Sequence, residues 1–366
     1  MTEQRSKIYT KAVELSDMMG LSAAEEANLQ SILDIFPMAI PQYYLSLIDW
    51  NDPDDPIRRM CIPSLTEIDI SGDFDTSGEA DNTVVTGLQH KYQQTALILS
   101  TNRCAMYCRH CFRKRLVGSS EEEIADNFDA MLDYIKAHPE ITNILVSGGD
   151  SLMLSNATLE KYLCELTALP QLDFIRFGSR VPVVYPERIL RDEELQAIFV
   201  KYAEKKQLYL VTQFNHPREL TAEAKAVIKI FIKAGVMLRN QTVLLRGVND
   251  DPQVLGQLLR ELTAVGVSPY YIFQCRPVRG VKAQFQVPLQ KGLEVVELAK
   301  GLQNGVGKCL RYCMSTPRGK VEIVGKLPDN QMLFKYNQAK DGSDAGRIFV
   351  AEVQPDQCWL ELNCDD

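Results

Sequence analysis

The stretch 95-TALILSTNRCAMYCRHC-111 decides the fold. Residues 95–100 are an apolar run that reads as a buried strand, and three cysteines follow on a segment without helical periodicity. Outward from it the same unit recurs. Strand-like runs at 95–100, 141–147, 173–178, 207–214, 236–245 and 268–275 alternate with amphipathic helical segments, the signature of parallel βα units in an α/β protein. Six units are too few for a closed eight-stranded barrel. They suffice for a curved, partial (βα)6 TIM-like barrel, whose working residues lie at the carboxyl ends of its strands. Ser119 or Ser120, with Glu122 or Glu123 three positions on, predicts a capping-box start for the first barrel helix. Acidic residues at 192–194 suit the start of the third.

This reading divides the chain into three parts. Residues 1–90 form an N-terminal helical extension or collar, ending in a polar stretch, 69-DISGDFDTSGEADNTVV-85, that reads as loop. Residues 91–306 are the barrel core, with its last helix at about 290–306. Residues 307–366, of mixed patterning, form a short C-terminal region.

Composition narrows the function classes. The chain has 366 residues, 45% hydrophobic and 24% charged, enough for a sizeable core. A net charge of −8 and a pI near 5.3 argue against nucleic-acid binding, which calls for a basic face, and favour a small-molecule substrate. No apolar run approaches the ~20 residues needed to span a bilayer, and the first residues lack a signal-peptide layout, so the sequence predicts a cytoplasmic protein. Ten cysteines in a reducing compartment point to metal binding rather than disulfides.

Cys104, Cys108 and Cys111 stand in a C-x3-C-x2-C spacing. Three thiolates on one short loop can hold an iron–sulfur cluster and leave one iron open to a small molecule. Structural zinc takes four closed ligands instead, and His110 flanks Cys111 too closely to complete such a set. After the second strand comes Ser147-Gly148-Gly149-Asp150, where glycines let a ligand approach the backbone and the acid can receive an ammonium.

The triplet, its place after the first strand and the SGGD turn resemble the radical SAM superfamily. More narrowly, the chain is similar from about residue 40 to 320 to the lysine 2,3-aminomutase family, on CAMYCRHCFRKR (104–115), SGGDSL (147–152), GSRVPVV (178–184), FNHPREL (214–220), NQTVLLRGVND (240–250) and PYYIFQC (269–275). The resemblance implies a [4Fe–4S] cluster, S-adenosyl-L-methionine as radical initiator, pyridoxal 5'-phosphate, and a reductant such as flavodoxin or ferredoxin. It implies an isomerase that moves an amino group from C2 to C3 of an amino acid.

By position in the family motifs, Arg113 would pair with the substrate α-carboxylate, for which a guanidinium fork is suited. Gln213, Asn215 and Gln241 match positions lining the S-adenosylmethionine site, although polar residues there equally suit barrel-core hydrogen bonding. The family's glycine-rich turn ending in the cofactor lysine is here 315-STPRGK-320, shorter and with one glycine. Lys320 is therefore the candidate, in a flexible turn, with Lys326 as fallback. Lys91 and Tyr92 match a basic-aromatic pair near the cofactor phosphate, where a second family arginine is replaced by Thr95.

Two departures bear on substrate. Lysine-specific members hold the distal ammonium with two aspartates, where this chain has Arg276 and, by best alignment, Ser315. A buried cation repels an ammonium and suits a distal carboxylate, so glutamate is favoured over lysine. Asp251 stands where longer members have a zinc-binding cysteine, and Cys358 and Cys364 cannot rebuild that site, so any homo-oligomer would form without it. The alternatives are a family enzyme with another outcome or acting on a lysine of an elongation-factor-type protein, and a non-catalytic metal-binding protein.

Overall fold

In a computed structural model, which describes residues 7–119 and 121–362, the chain is organised around one curved sheet of twelve strands in sequential order. Its centre is β3 (Thr95–Thr101), β4 (Asn143–Gly148), β5 (Phe174–Gly178), β6 (Gln207–Thr212), β7 (Met237–Leu244), β8 (Ser268–Gln274) and β9 (Arg311–Thr316), all parallel. Before them lie β1 (Thr83–Val85) and β2 (Leu88–Tyr92), and after them β10 (Gly319–Lys326), β11 (Gln331–Ala339) and β12 (Ile348–Glu352), each antiparallel to its neighbour.

The six helices joining the parallel strands are α1 (Phe128–Ala137), α2 (Asn156–Ala168), α3 (Glu193–Ala203), α4 (Ala222–Lys233), α5 (Pro252–Ala264) and α6 (Leu289–Gly301). Each buries one apolar stripe against the sheet, as Leu255, Leu258, Leu259 and Leu262 do in α5. The partial (βα)6 barrel is thus present, and all six strands read from the sequence fall within two residues of their observed bounds.

Three details differ from the sequence reading. The first barrel helix does not begin at Ser119; it begins at Phe128 and is capped by Asn127, whose side chain accepts from the Ala130 amide. Ser120 lies outside the described residues. The residues after 306 are not appended to the barrel but continue its sheet, because β9 pairs in parallel with β8 and the next hairpins pair onto β9. Cys364 is outside the described residues. The polar stretch 69–85 contains a short helix, Glu79–Asn82, and β1. Asp251 has its own structural task, capping α5 through the Gln253 and Val254 amides.

Two helices, Ala12–Met19 and Ala23–Leu33, open the collar. It grips the cysteine loop directly: the Tyr107 amide donates to the Ala39 carbonyl at 2.9 Å and the Arg109 amide to the Met60 carbonyl at 2.9 Å. Glu67, wholly buried, accepts from Arg109 and from Lys114 at 2.5 Å each. A buried carboxylate between two cations is costly to break from either side. The motif's basic residues thus lock the loop's shape.

Candidate active site

The cysteine loop leaves the carboxyl end of β3 and meets the SGGD turn at the end of β4. Gly149 donates its amide to the Thr101 carbonyl at 2.5 Å, and Asp150 donates to the Arg103 carbonyl at 2.8 Å. Both glycines are required by this approach. Gly148 has φ +114°, and a Cβ on Gly149 would stand 2.3 Å from the Arg103 carbonyl oxygen. The turn therefore sets the position of the three cysteines.

Cys104, Cys108 and Cys111 line one end of a cavity of about 570 Å³ that runs down the barrel. Burial pushes the Cys104 thiol well up, with Asp150 and the other two cysteines adding to it, and burial next to Cys108 pushes Cys111 to about 11. Three sulfurs gathered on one loop at the end of a cavity are a fitting set of ligands for cationic iron. Arg180, not singled out from the sequence, donates Nη1 to Cys108 Sγ at 2.7 Å, Nη2 to Glu219 at 2.6 Å and Nε to the Gln213 carbonyl at 3.0 Å. Its only signal was its place in GSRVPVV at the end of β5.

The carboxylate of Asp150 is already engaged. It accepts from Ser179 Oγ at 2.6 Å and from the amides of Leu152, Arg180 and Val181 at 3.0, 2.6 and 3.1 Å. Its side chain ties the SGGD turn to the next strand's loop instead of standing open to a ligand. Gln213 and Gln241 do line the cavity. Asn215 does not: it donates to His110 Nε2 at 3.2 Å, accepts from the Val243 amide at 2.9 Å and is fully buried. It is one of the core hydrogen bonders that the sequence left as the other reading.

At the opposite wall, Lys320 is the second residue of β10, paired with Ser315 across a tight hairpin. The lysine therefore stands on a strand, not in a flexible turn. Gly319 makes the hairpin possible, since a Cβ there would meet the Gln338 carbonyl oxygen at 2.2 Å. Lys320 Nζ donates to Gln338 Oε1 at 2.6 Å and lies 4.6 Å from the centre of the Tyr92 ring. Burial, reinforced by the Arg176 charge, pushes its pKa down to about 7. Lys326 is exposed at the far end of the strand. Lys91 spans the seam between the ends of the curved sheet, donating to the Thr316 carbonyl at 2.5 Å and the Ser77 carbonyl at 3.2 Å; burial holds it near 7 as well.

Arg113 is buried, with Nε on Glu79 at 2.7 Å and Nη1 on Ser147 Oγ and the Gly148 carbonyl, both at 3.3 Å, and with no bond from Nη2 among the described residues. Arg276 and Ser315, both drawn from the substrate positions, meet: Arg276 donates Nη2 to Ser315 Oγ at 2.8 Å and Nη1 to Ser77 Oγ. Phe112 lies under both guanidiniums, 4.7 Å from Arg113 and 4.4 Å from Arg276. Ser77 and Glu79 come from the polar stretch read as loop, which no local pattern marked as cavity wall.

Residues 98–258 match the model of the Radical SAM superfamily. An L-lysine 2,3-aminomutase of Acetoanaerobium sticklandii is 39% identical over 99% of this chain and 86% of its own. One from Clostridium subterminale is 40% identical over 85% and 73%. The chain belongs to the lysine 2,3-aminomutase family of radical SAM enzymes. A glutamate 2,3-aminomutase of Clostridioides difficile, 37% identical over 96% of this chain and 82% of its own, lies almost as near. Among solved structures, a radical SAM methyltransferase from Sphaerobacter thermophilus aligns with a TM-score of 0.40 at 15% identity, covering 62% of this chain and 68% of that one.

Members of this aminomutase family use a [4Fe–4S] cluster and S-adenosylmethionine, and the sulfurs of Cys104, Cys108 and Cys111, which line one end of the cavity together, fit the cluster. The family's pyridoxal phosphate is fitted by a half-buried lysine, Lys320, whose pKa is lowered to about 7 and which lies beside Tyr92. No helix among the described residues is long and apolar enough to cross a membrane.

Proposed function

We propose that this chain is a pyridoxal-phosphate-dependent amino-acid 2,3-aminomutase that takes an acidic substrate, glutamate foremost. One observation carries the substrate choice: the cavity offers cations and no open carboxylate. Lys91, Arg113, Arg176, Arg180, Arg276 and Lys320 line it against Glu79 and Asp150. Glu79 is clamped between Arg113 and Arg115, at 2.7 Å each, and Asp150 is saturated by four protein donors. A substrate ammonium would find no counter-ion there. A second carboxylate would find Arg276, which is held by two serine hydroxyls and no acid.

When bound, the cluster with S-adenosylmethionine supplies the radical and pyridoxal phosphate carries the migrating amino group. The chain's own residues bind and orient. Arg113 offers its Nη2 to the α-carboxylate, with Phe112 fixing its plane. Arg276, whose pKa burial lowers only to about 10, stays charged at neutral pH and takes the distal carboxylate. Lys320, with its depressed pKa, is available as a nucleophilic amine. A lysine substrate, free or on a protein, would bring its ammonium to the same cations.

The test is an anaerobic incubation of the reconstituted, reduced enzyme with glutamate, glutamine and lysine, followed by mass spectrometry for the β-amino acid. Conversion of glutamate that disappears in Lys320→Ala supports the reading. Conversion of lysine alone would sink its substrate half, and activity surviving in Lys320→Ala its cofactor half.

A further inference from the structure

A second cavity, of about 530 Å³, lies at the other end of the barrel from the cysteine loop. Its wall is built near the amino ends of the strands by Phe174 and Arg176 of β5, Tyr209 of β6, Arg239 of β7, Tyr270 of β8 and Arg311 of β9. Three guanidiniums thus face one carboxylate, Glu322, and that carboxylate is paired with Arg311 at 3.3 Å. The other two arginines have no acid. Among the described residues Arg239 makes no hydrogen bond or ion pair, and its guanidinium rests 6.0 Å from the Tyr270 ring centre. Arg176 donates Nη2 to Asn143 Oδ1 at 2.6 Å, while its Nε is buried without a partner.

Charged groups gathered on one half-buried wall without counter-ions repel one another, and a buried N–H without an acceptor adds to the cost. The arrangement is balanced when an anion enters. Planar forks of N–H donors match a tetrahedral oxyanion, and aromatic walls raise the strength of such contacts by keeping water out.

We propose that Arg176 and Arg239 form a phosphate-binding site at the floor of the barrel, distinct from the cysteine-lined end. Two sources can bring that phosphate. One is the cofactor's own phosphate, reaching down from Lys320, because Phe174, Arg176, Val211 and Tyr270 wall both cavities. This source rests on the function proposed above. The other is free phosphate or a small phosphorylated molecule held in the lower cavity, which stands independently of that function.

The experiment uses the full chain with its cluster, in cofactor-free and cofactor-loaded forms. Inorganic phosphate is titrated calorimetrically into each, and the affinities for pyridoxal phosphate and pyridoxal are measured, for wild type, Arg176→Gln, Arg239→Gln and Arg239→Lys. A free-phosphate site predicts that loaded wild type binds phosphate and that Arg239→Gln weakens it at least about tenfold, with cofactor affinity unchanged. A cofactor-phosphate site predicts that phosphate competes with pyridoxal phosphate, and that both Gln variants weaken pyridoxal phosphate at least about tenfold but leave pyridoxal untouched. In either case Arg239→Lys recovers part of the loss, which separates charge from packing. The proposal is overturned if neither form of the wild type takes up phosphate and both Gln variants bind pyridoxal phosphate as wild type does. If Lys320 links to neither pyridoxal compound, the proposed function fails, and the phosphate titration still decides the floor site.

Discussion

Arg276→Gln is the sharpest probe of substrate choice. In the structure the guanidinium is half-buried, rests on Phe112 and, among the described residues, hydrogen-bonds to Ser77 and Ser315 and to no carboxylate. A substrate carboxylate would be its direct ion-pair partner, with Glu79 and Asp75 acting only from further away. Removing one member of a buried, hydrogen-bonded charge pair costs about 2–5 kcal/mol, which is roughly thirty- to several-thousand-fold in kcat/KM. Glutamine is the control substrate, because it has the same shape and no distal charge. For it the same substitution removes a hydrogen bond from a charged donor to a neutral oxygen, about 1.5–3 kcal/mol or roughly ten- to hundredfold, and no ion pair. The assay is kcat/KM for both substrates in both proteins, with iron and cofactor content measured in each. Glutamate should suffer the larger loss and glutamine the smaller one, with Arg276→Lys falling between. Equal losses on the two substrates would show that Arg276 merely props Ser77 and Ser315, and no loss on glutamate would refute the pocket assignment.

Four further outcomes follow from the same geometry. Cys104→Ser, Cys108→Ser or Cys111→Ser each abolishes cluster assembly, read as lost iron and no 5'-deoxyadenosine from S-adenosylmethionine. Gly148→Ala, at φ +114° and with its Cβ 2.4 Å from the Thr101 carbonyl oxygen, costs more than about 1 kcal/mol in thermal denaturation and lowers iron content by displacing the cysteine loop. In cofactor-free protein, borohydride-trapped linkage of pyridoxal phosphate to Lys320 accelerates as pH rises through about 7 and then levels off. The lysine pKa is lowered in the folded state, so folded protein binds fewer protons than unfolded between about 7 and ~10.4, and stability rises with pH across that window. Lys320→Met flattens the rise only in part, because Lys91 is depressed to about 7 too.

The barrel strands were legible because each is a short apolar run bounded by a change of period, a signal contained within its own residues. The cysteine loop and the glycine turn were legible for the same reason. What escaped depends on partners far away in the chain. Asp150 looks like an open acid until Ser179 and the amides of Arg180 and Val181 arrive from the next loop. Ser77 and Glu79 look like loop residues until Arg276 and Arg113 reach them. The tail, read as mixed, is a run of strands that finds its register only on β8 and β9. Arg176 and Arg239 sit on separate strands, and only the order of the strands in the sheet sets them on one wall.

The seam at Lys91 has a consequence for how the enzyme matures. The residues that would hold the cofactor come from β2 and from β10, more than two hundred residues apart, and Lys91 joins them only when Thr316 is in place. Such distant pairings form late and slowly. During synthesis the cysteine loop and its collar are complete long before the last strands emerge. With Lys320 as the proposed cofactor lysine, a chain cut short of β10 would keep its cysteine triplet and lack the residue that takes up pyridoxal phosphate.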